Sequence, residues 1–246
     1  MSDNQVGTYK LVASPFHLDV RGKLSIGVLG KHLLNCADAY AAERGFDVVE
    51  QGGEHYTWVL SRLAIELEDL PSCHESFSIQ TWVENVYRLF ADRNFVICNK
   101  DEKPIGYVRS VWAMISMETR NPANLLALYG DRITNSICEK ECPIAKPGRI
   151  KVSQQEAVSE YVAKYSDLDI NGHVNSIKYI EHILDIFPLD TYKKKALKRF
   201  EIAYVAESYY GDTLSFYLEE KNENEYDIEV RKSSTEVVVR SKVIFK

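Results

Sequence analysis

The 246-residue chain is 45% hydrophobic and 27% charged, with a formal net charge of −6, which excludes a disordered segment and argues against generic nucleic-acid binding. Its longest apolar runs fall far short of the roughly 20 residues that cross a bilayer. The opening "MSDNQVGTYKLV" has no basic segment followed by an apolar core, so the chain reads as neither membrane-inserted nor secreted.

The first expected element is a strand over "TYKLVA" (8–13). From Val28 to Arg44, Leu29, Leu33, Cys36, Ala37 and Tyr40 recur at helical spacing, and Gly45 ends the run. Four strands follow, "WVLSRLAIEL", "FSIQTWVE", "NFVIC" and "GYVRSVWAMIS". The second alternates, with Phe77, Ile79, Thr81 and Val83 on one face. "NKDEKP" between the last two has hairpin composition. Residues 117–150 hold three prolines and no sustained period, and read as a connector crossing the surface with one short helix at most. The order then restarts: a strand near 157–163, a helix at about 174–187 stopped by Pro188, and strands at 199–206, 213–220, 226–231 and 236–245. Five cysteines (Cys36, Cys73, Cys98, Cys138, Cys142) lack metal or redox-pair spacing and read as free thiols in a reducing cytoplasm.

Strand, helix and four strands, twice over, suggest a duplication, and the residues test it. "LDVRGKL" (18–24) lies over "LDINGHV" (168–174). "SRLAIELEDLPSCHESFSI" (61–79) lies without a gap over "KRFEIAYVAESYYGDTLSF" (198–216), and "VRS" at 108–110 matches "VRS" at 239–241. Offsets of 150, 137 and 131 shrink in chain order, as differences in loop length would make them. A unit of one long helix and antiparallel strands buries the helix by wrapping the sheet around it. Two such units give an α+β tandem (double) hotdog: an N-terminal repeat over 1–118, a connector over 119–150 and a C-terminal repeat over 151–246.

The chemistry gathers in "YSDLDINGHVNSIKYIEHILD" (165–185). Asp169 or Asn171 can cap the following helix, which would leave His173 as a first-turn polar residue. The first copy keeps Asp19 and Gly22 but has Arg21, Lys23 and Leu70 where the second has Asn171, His173 and Glu207. Groups useful for chemistry therefore sit in one copy, while fold-making groups sit in both. Backbone amides at a helix N-terminus, with the Asn171 amide and the His173 imidazole, suit an oxyanion. A carboxylate such as Asp169 or Glu207 can activate water or attack directly. Thioester hydrolysis needs no more, and no metal or organic cofactor is implied.

"DINGHVNSIKY" resembles the Asp-x-x-Gly-His-Val-Asn-Asn-x-x-Tyr signature of hotdog acyl-CoA thioesterases. It resembles still more the Asp-x-Asn-x-His-Val-Asn segment of fatty acyl–acyl carrier protein thioesterases. "WVLSRLAIELEDLP", "TWVE" and "YVAES" also look like segments of that second family, so the likeness covers most of the chain. Ser208 stands where the plant members carry cysteine. The resemblance implies a double hotdog enzyme that hydrolyses fatty acyl–acyl carrier protein, releasing free fatty acid and ending its synthesis. Its catalytic roles fall on Asp169, Asn171, His173 and Glu207. No organellar transit segment is evident, so the chain reads as a bacterial, cytoplasmic version, a monomer (pseudo-dimer) or a homodimer. With Arg21, Lys23 and Leu70 at the chemical positions and a helix rich in Leu29, Leu33, Leu34 and Ala37, the N-terminal repeat is expected to house the acyl chain. A hotdog acyl-CoA thioesterase, a 3-hydroxyacyl thioester dehydratase and a non-enzymic acyl-binding module are the rival readings. "YKKKALKR" (192–199) reads as a solvated loop or as a landing site for an acidic carrier.

Overall fold

A computed structural model describes residues 5–47 and 49–246. The chain divides into two compact units, Met1–Ser61 with Glu68–Ala145 and Lys146–Lys246 with Arg62–Leu67.

In the first unit, strand β1 (Gly7–Val12) and helix α1 (Ile26–Glu43) are followed by the short β2 (Val49–Gln51), then β3 (Glu54–Leu67), β4 (Ser76–Val86), β5 (Phe90–Cys98) and β6 (Pro104–Ser116). Strands β1/β4, β4/β5 and β5/β6 pair antiparallel in the order β1-β4-β5-β6-β3. Helix α1 starts two residues before the apolar period predicts, because Ser25 caps it by accepting from Val28 N at 3.4 Å. Its inward face encloses Leu29, Leu33, Cys36, Ala37 and Tyr40. Complete burial of each leucine contributes about 1.5–3 kcal/mol. The β5–β6 hairpin closes as its composition predicts, with Asn99 Oδ1 accepting from Asp101 N and Lys103 N at 3.0 Å each.

The connector departs from expectation. It contains two short helices, α2 (Leu125–Tyr129) and α3 (Asp131–Thr134), and it is not merely a surface crossing. Cys138, Cys142 and Ile144 are buried with Trp82, Val96 and Cys98 against the outer face of the first sheet. Carbonyls of this strap accept from Trp82 Nε1 (Lys140 O, 2.8 Å) and from Arg109 (Ile144 O and Cys142 O, 2.7 Å each). An irregular strand that spends its backbone groups on side chains leaves no period in its sequence.

The second unit repeats the plan with β7 (Ser159–Val162), α4 (Ser176–Asp185), α5 (Leu189–Lys194), β8 (Leu197–Tyr204), β9 (Thr213–Asn222), β10 (Glu225–Lys232) and β11 (Glu236–Phe245). Residues 62–66 of β3 pair with β8, and the order β8-β11-β10-β9-β7 matches the first unit position by position. Each unit is a hotdog, and the chain is an α+β double hotdog. Pro188, read from sequence only as a stop, also opens α5, which is too short to show a period.

The likeness extends to single bonds. Leu18 bridges Leu24 and Leu168 bridges Val174, while Lys23 bridges Ser72 and His173 bridges Tyr209. Gly22 and Gly172 both hold positive φ, 70° and 79°, in the same turn. Where the second unit has Gly211 at φ 84°, the first strains His74 to 62°.

Beneath this turn of the second unit, Asp167 is buried. Its Oδ2 accepts from Lys164 N and Tyr161 OH (2.8 Å each), and its Oδ1 faces His182 Nε2 at 3.2 Å. Burial alone would raise its pKa, but these hydrogen bonds outweigh it and hold the carboxyl below the usual aspartate value. A depressed folded-state pKa contributes stability above the unfolded value, which is lost as pH falls through the folded one. Asp167→Asn is therefore expected to cost ~1–3 kcal/mol at neutral pH. The gap to wild type should close below about pH 4, as melting curves across pH will show.

Candidate active site

The turn at 168–174 is built by one carboxylate. Asp169 Oδ1 accepts from Asn171 N (2.8 Å) and His173 N (3.1 Å), Asp169 N donates to His173 O (2.8 Å), and Gly172 N donates to Asp169 O (3.1 Å). Asp19 makes the same contacts with Arg21 N (2.8 Å) and Lys23 N (3.2 Å). The residues flanking the turn are equally committed, since Val174 N donates to Ser208 O and Asn175 N to Asp167 O, at 2.8 Å each.

Two expectations change here. The helix begins at Ser176, not near 174, because those two amides point away from the helical path. Its cap is Asn175, whose Oδ1 accepts from Ile177 N at 2.9 Å, and neither Asp169 nor Asn171. The backbone amides expected to meet an oxyanion are also spent from Asn171 to Asn175. The side-chain donors at the turn are the amide of the exposed Asn171 and the ring of His173.

Glu207 comes to this turn from the β8–β9 connection, 34 positions along the chain from His173. Its Oε2 stands 3.4 Å from His173 Nε2. His173 is mostly buried and Glu207 half-buried, so the pair is partly shielded from solvent. Asp169 keeps Oδ2 without a hydrogen-bond partner among the described residues, in a shallow depression lined also by Tyr165, Leu168, Asn171 and Asn175. In the first copy that oxygen is taken by Arg21, whose Nε and Nη2 donate to it at 3.0 and 2.8 Å. Lys23, at the position of His173, donates to Leu70 O at 3.0 Å and pairs with Asp69. The first turn is thus closed on itself, and the second presents an imidazole, a carboxylate pair and an amide.

Two neighbours lay outside the sequence reading. Tyr209 OH donates to Glu207 Oε2 at 3.3 Å, and Lys232 Nζ donates to Glu207 O at 3.3 Å. Tyr209 was visible in principle, since the repeat sets it over Ser72, a change at a site-forming position. Lys232 carries no such signal. Ser208 is sealed from solvent, unlike an attacking nucleophile. The basic run lies beyond the far end of α4, a ten-residue helix about 15 Å long. There Lys193 pairs with Asp190, and Lys195 donates to Glu223 O and Asn224 Oδ1.

Among the described residues, no helix is long and apolar enough to cross a membrane, and no group of His, Cys, Asp and Glu is arranged to hold a metal ion.

Comparison with known proteins adds an independent line. Residues 9–130 match the family model of the acyl-ACP thioesterase N-terminal domain, and residues 150–246 that of the acyl-ACP thioesterase C-terminal domain. A crystal structure of an acyl-ACP thioesterase from Bacteroides thetaiotaomicron is 60% identical, with a TM-score of 0.94 and 100% of both chains covered. The 12:0-ACP thioesterase from Umbellularia californica is 16% identical and shares the fold, with a TM-score of 0.84 over 98% of this chain and 97% of its own. The chloroplastic palmitoyl-acyl carrier protein thioesterase of Gossypium hirsutum is 26% identical over 192 residues, 73% of this chain and 46% of its own length. The chain thus spans about half the length of the curated relatives it matches.

Proposed function

The chain belongs to the acyl-ACP thioesterase family, and from that premise we propose that it hydrolyses the thioester between a fatty acyl chain and acyl carrier protein. The observation that carries the chemistry is the His173–Glu207 contact of 3.4 Å beside the Asp169 turn. The imidazole and carboxylate act as one base on a water molecule. The water oxygen bonds to the acyl carbon, and the Asn171 amide donates to the oxygen that gains charge. The carbon–sulfur bond then breaks, and the thiolate leaves with the proton the dyad has taken. Fatty acid and carrier thiol are the products, and no step calls for a metal or an organic cofactor. Asp169 holds the turn through Oδ1 and presents a charged Oδ2 beside it.

The test is thiol release from carrier-protein and CoA thioesters of graded chain length. Faster turnover of carrier-linked substrate is expected. A preference for CoA would make the protein an acyl-CoA thioesterase, and binding without turnover would make it an acyl-binding module.

The N-terminal hotdog is assigned the acyl chain, because its chemical positions carry Arg21, Lys23 and Leu70 while α1 presents Leu29, Leu33 and Ala37 inward. Ala37→Phe should shift preference toward shorter chains in the same assay. A shift of that kind from Ile180→Phe on α4, with none from Ala37→Phe, would move the acyl site to the second unit.

A further inference from the structure

We propose that Tyr209 is a positioning residue for the Glu207 carboxylate, an inference that rests on reading Glu207 as half of the base. Two side chains converge on one oxygen, since Glu207 Oε2 accepts from Tyr209 OH at 3.3 Å and faces His173 Nε2 at 3.4 Å. The Tyr209 ring stands edge-on to the imidazole, with centroids 5.2 Å apart and planes at 71°. A phenol bonded to the carboxylate and packed on its partner ring sets the distance between the two catalytic groups.

The tyrosine is itself anchored. Its backbone N donates to Asp212 Oδ2 at 2.9 Å, and its main chain bridges His173. Lys232 Nζ lies 5.8 Å from the ring centroid while donating to Glu207 O. Glutamate has three rotatable side-chain bonds, and a half-buried one wanders unless its carboxylate is held. The duplication supports a specific role. The first unit builds the same connection, with Ser72 N donating to Glu75 Oε2 as Tyr209 N does to Asp212. It nevertheless has Leu70 and Ser72 where the second has Glu207 and Tyr209. The phenol occurs in the copy that has a carboxylate to hold.

The effect has two parts. A fixed carboxylate meets the water in one orientation, which raises kcat more than it lowers KM. A hydrogen bond to the ionised form also favours that form, extending base activity to lower pH.

The experiment compares Tyr209→Phe, Glu207→Gln and Tyr210→Phe in the full chain, with thiol release followed across pH. Tyr209→Phe should lower kcat about fivefold, the worth of one ordinary hydrogen bond, with KM little changed and melting intact. Its acid limb of kcat/KM should move to higher pH. Tyr210→Phe, an exposed neighbour without these contacts, should match wild type. Wild-type kcat and an unmoved acid limb in Tyr209→Phe, with Glu207→Gln inactive, would overturn the role of Tyr209 alone. A kcat loss with an unmoved limb would do the same, because it would mark only a packing defect. Near-normal turnover by Glu207→Gln would remove the base assignment and this inference together.

Discussion

Glu207→Gln and His173→Ala are each expected to lower kcat for acyl-carrier thioester hydrolysis by at least ~10²-fold, the usual loss when a general base is removed. The fold should survive both. The turn that carries His173 is closed by backbone bonds to Asp169, and Glu207 lies on a connection whose neighbouring carbonyl, Ser208 O, holds Val174 N whatever side chain precedes it. The more telling result is the double variant. Two groups acting as one base lose the whole of their effect with either partner, so the double variant should be no slower than the worse single one. Multiplying losses would mean that His173 and Glu207 act separately, the imidazole on the carbonyl and the carboxylate on water. KM should change little, since neither group is proposed to bind the acyl chain. Single-turnover thiol release, with melting curves alongside, separates these outcomes.

The legibility of this site in sequence follows from what the fold does with each residue. Long elements declared themselves by period, as α1 and the alternating β4 did. The duplication was readable because corresponding residues make corresponding bonds. Asp19 and Asp169 clip the same turn, and Leu24 N and Val174 N reach the equivalent carbonyls of Pro71 and Ser208. Part of the first fall in the offsets, from 150 to 137, has a source in helix length, since α1 has 18 residues where α4 has 10. The missing parts were those in which distant side chains decide the outcome. His182 faces Asp167 from 15 positions along the chain, a separation that no local pattern reveals. The strap over Trp82 and the helix α5 were too irregular or too short for a period. Glu207 came from laying one copy on the other and from the likeness of "YVAES" to a family segment, while its bond from Tyr209 needed three-dimensional placement.

The same duplication makes Asp169 testable against its own twin. Asparagine can accept the two backbone hydrogens that Oδ1 of either aspartate accepts, so Asp19→Asn and Asp169→Asn should both keep the turn. What each loses is the charge on Oδ2. In Asp19 that charge meets the Arg21 guanidinium, a partly exposed pair whose removal should cost no more than about 1 kcal/mol of stability and no activity. In Asp169 the oxygen is open beside Asn171, on the turn that carries His173. Asp169→Asn is therefore expected to lower kcat about tenfold, equal to ~1.4 kcal/mol of transition-state stabilisation, with melting near wild type. Asp169→Ala separates the two duties, because it removes both accepted bonds. It should lose stability by ~1–3 kcal/mol and cost kcat further as His173 loses its register. Near-normal turnover by Asp169→Asn would reduce this aspartate to the role it shares with Asp19, a clip for the turn, and leave the chemistry to Glu207 and His173.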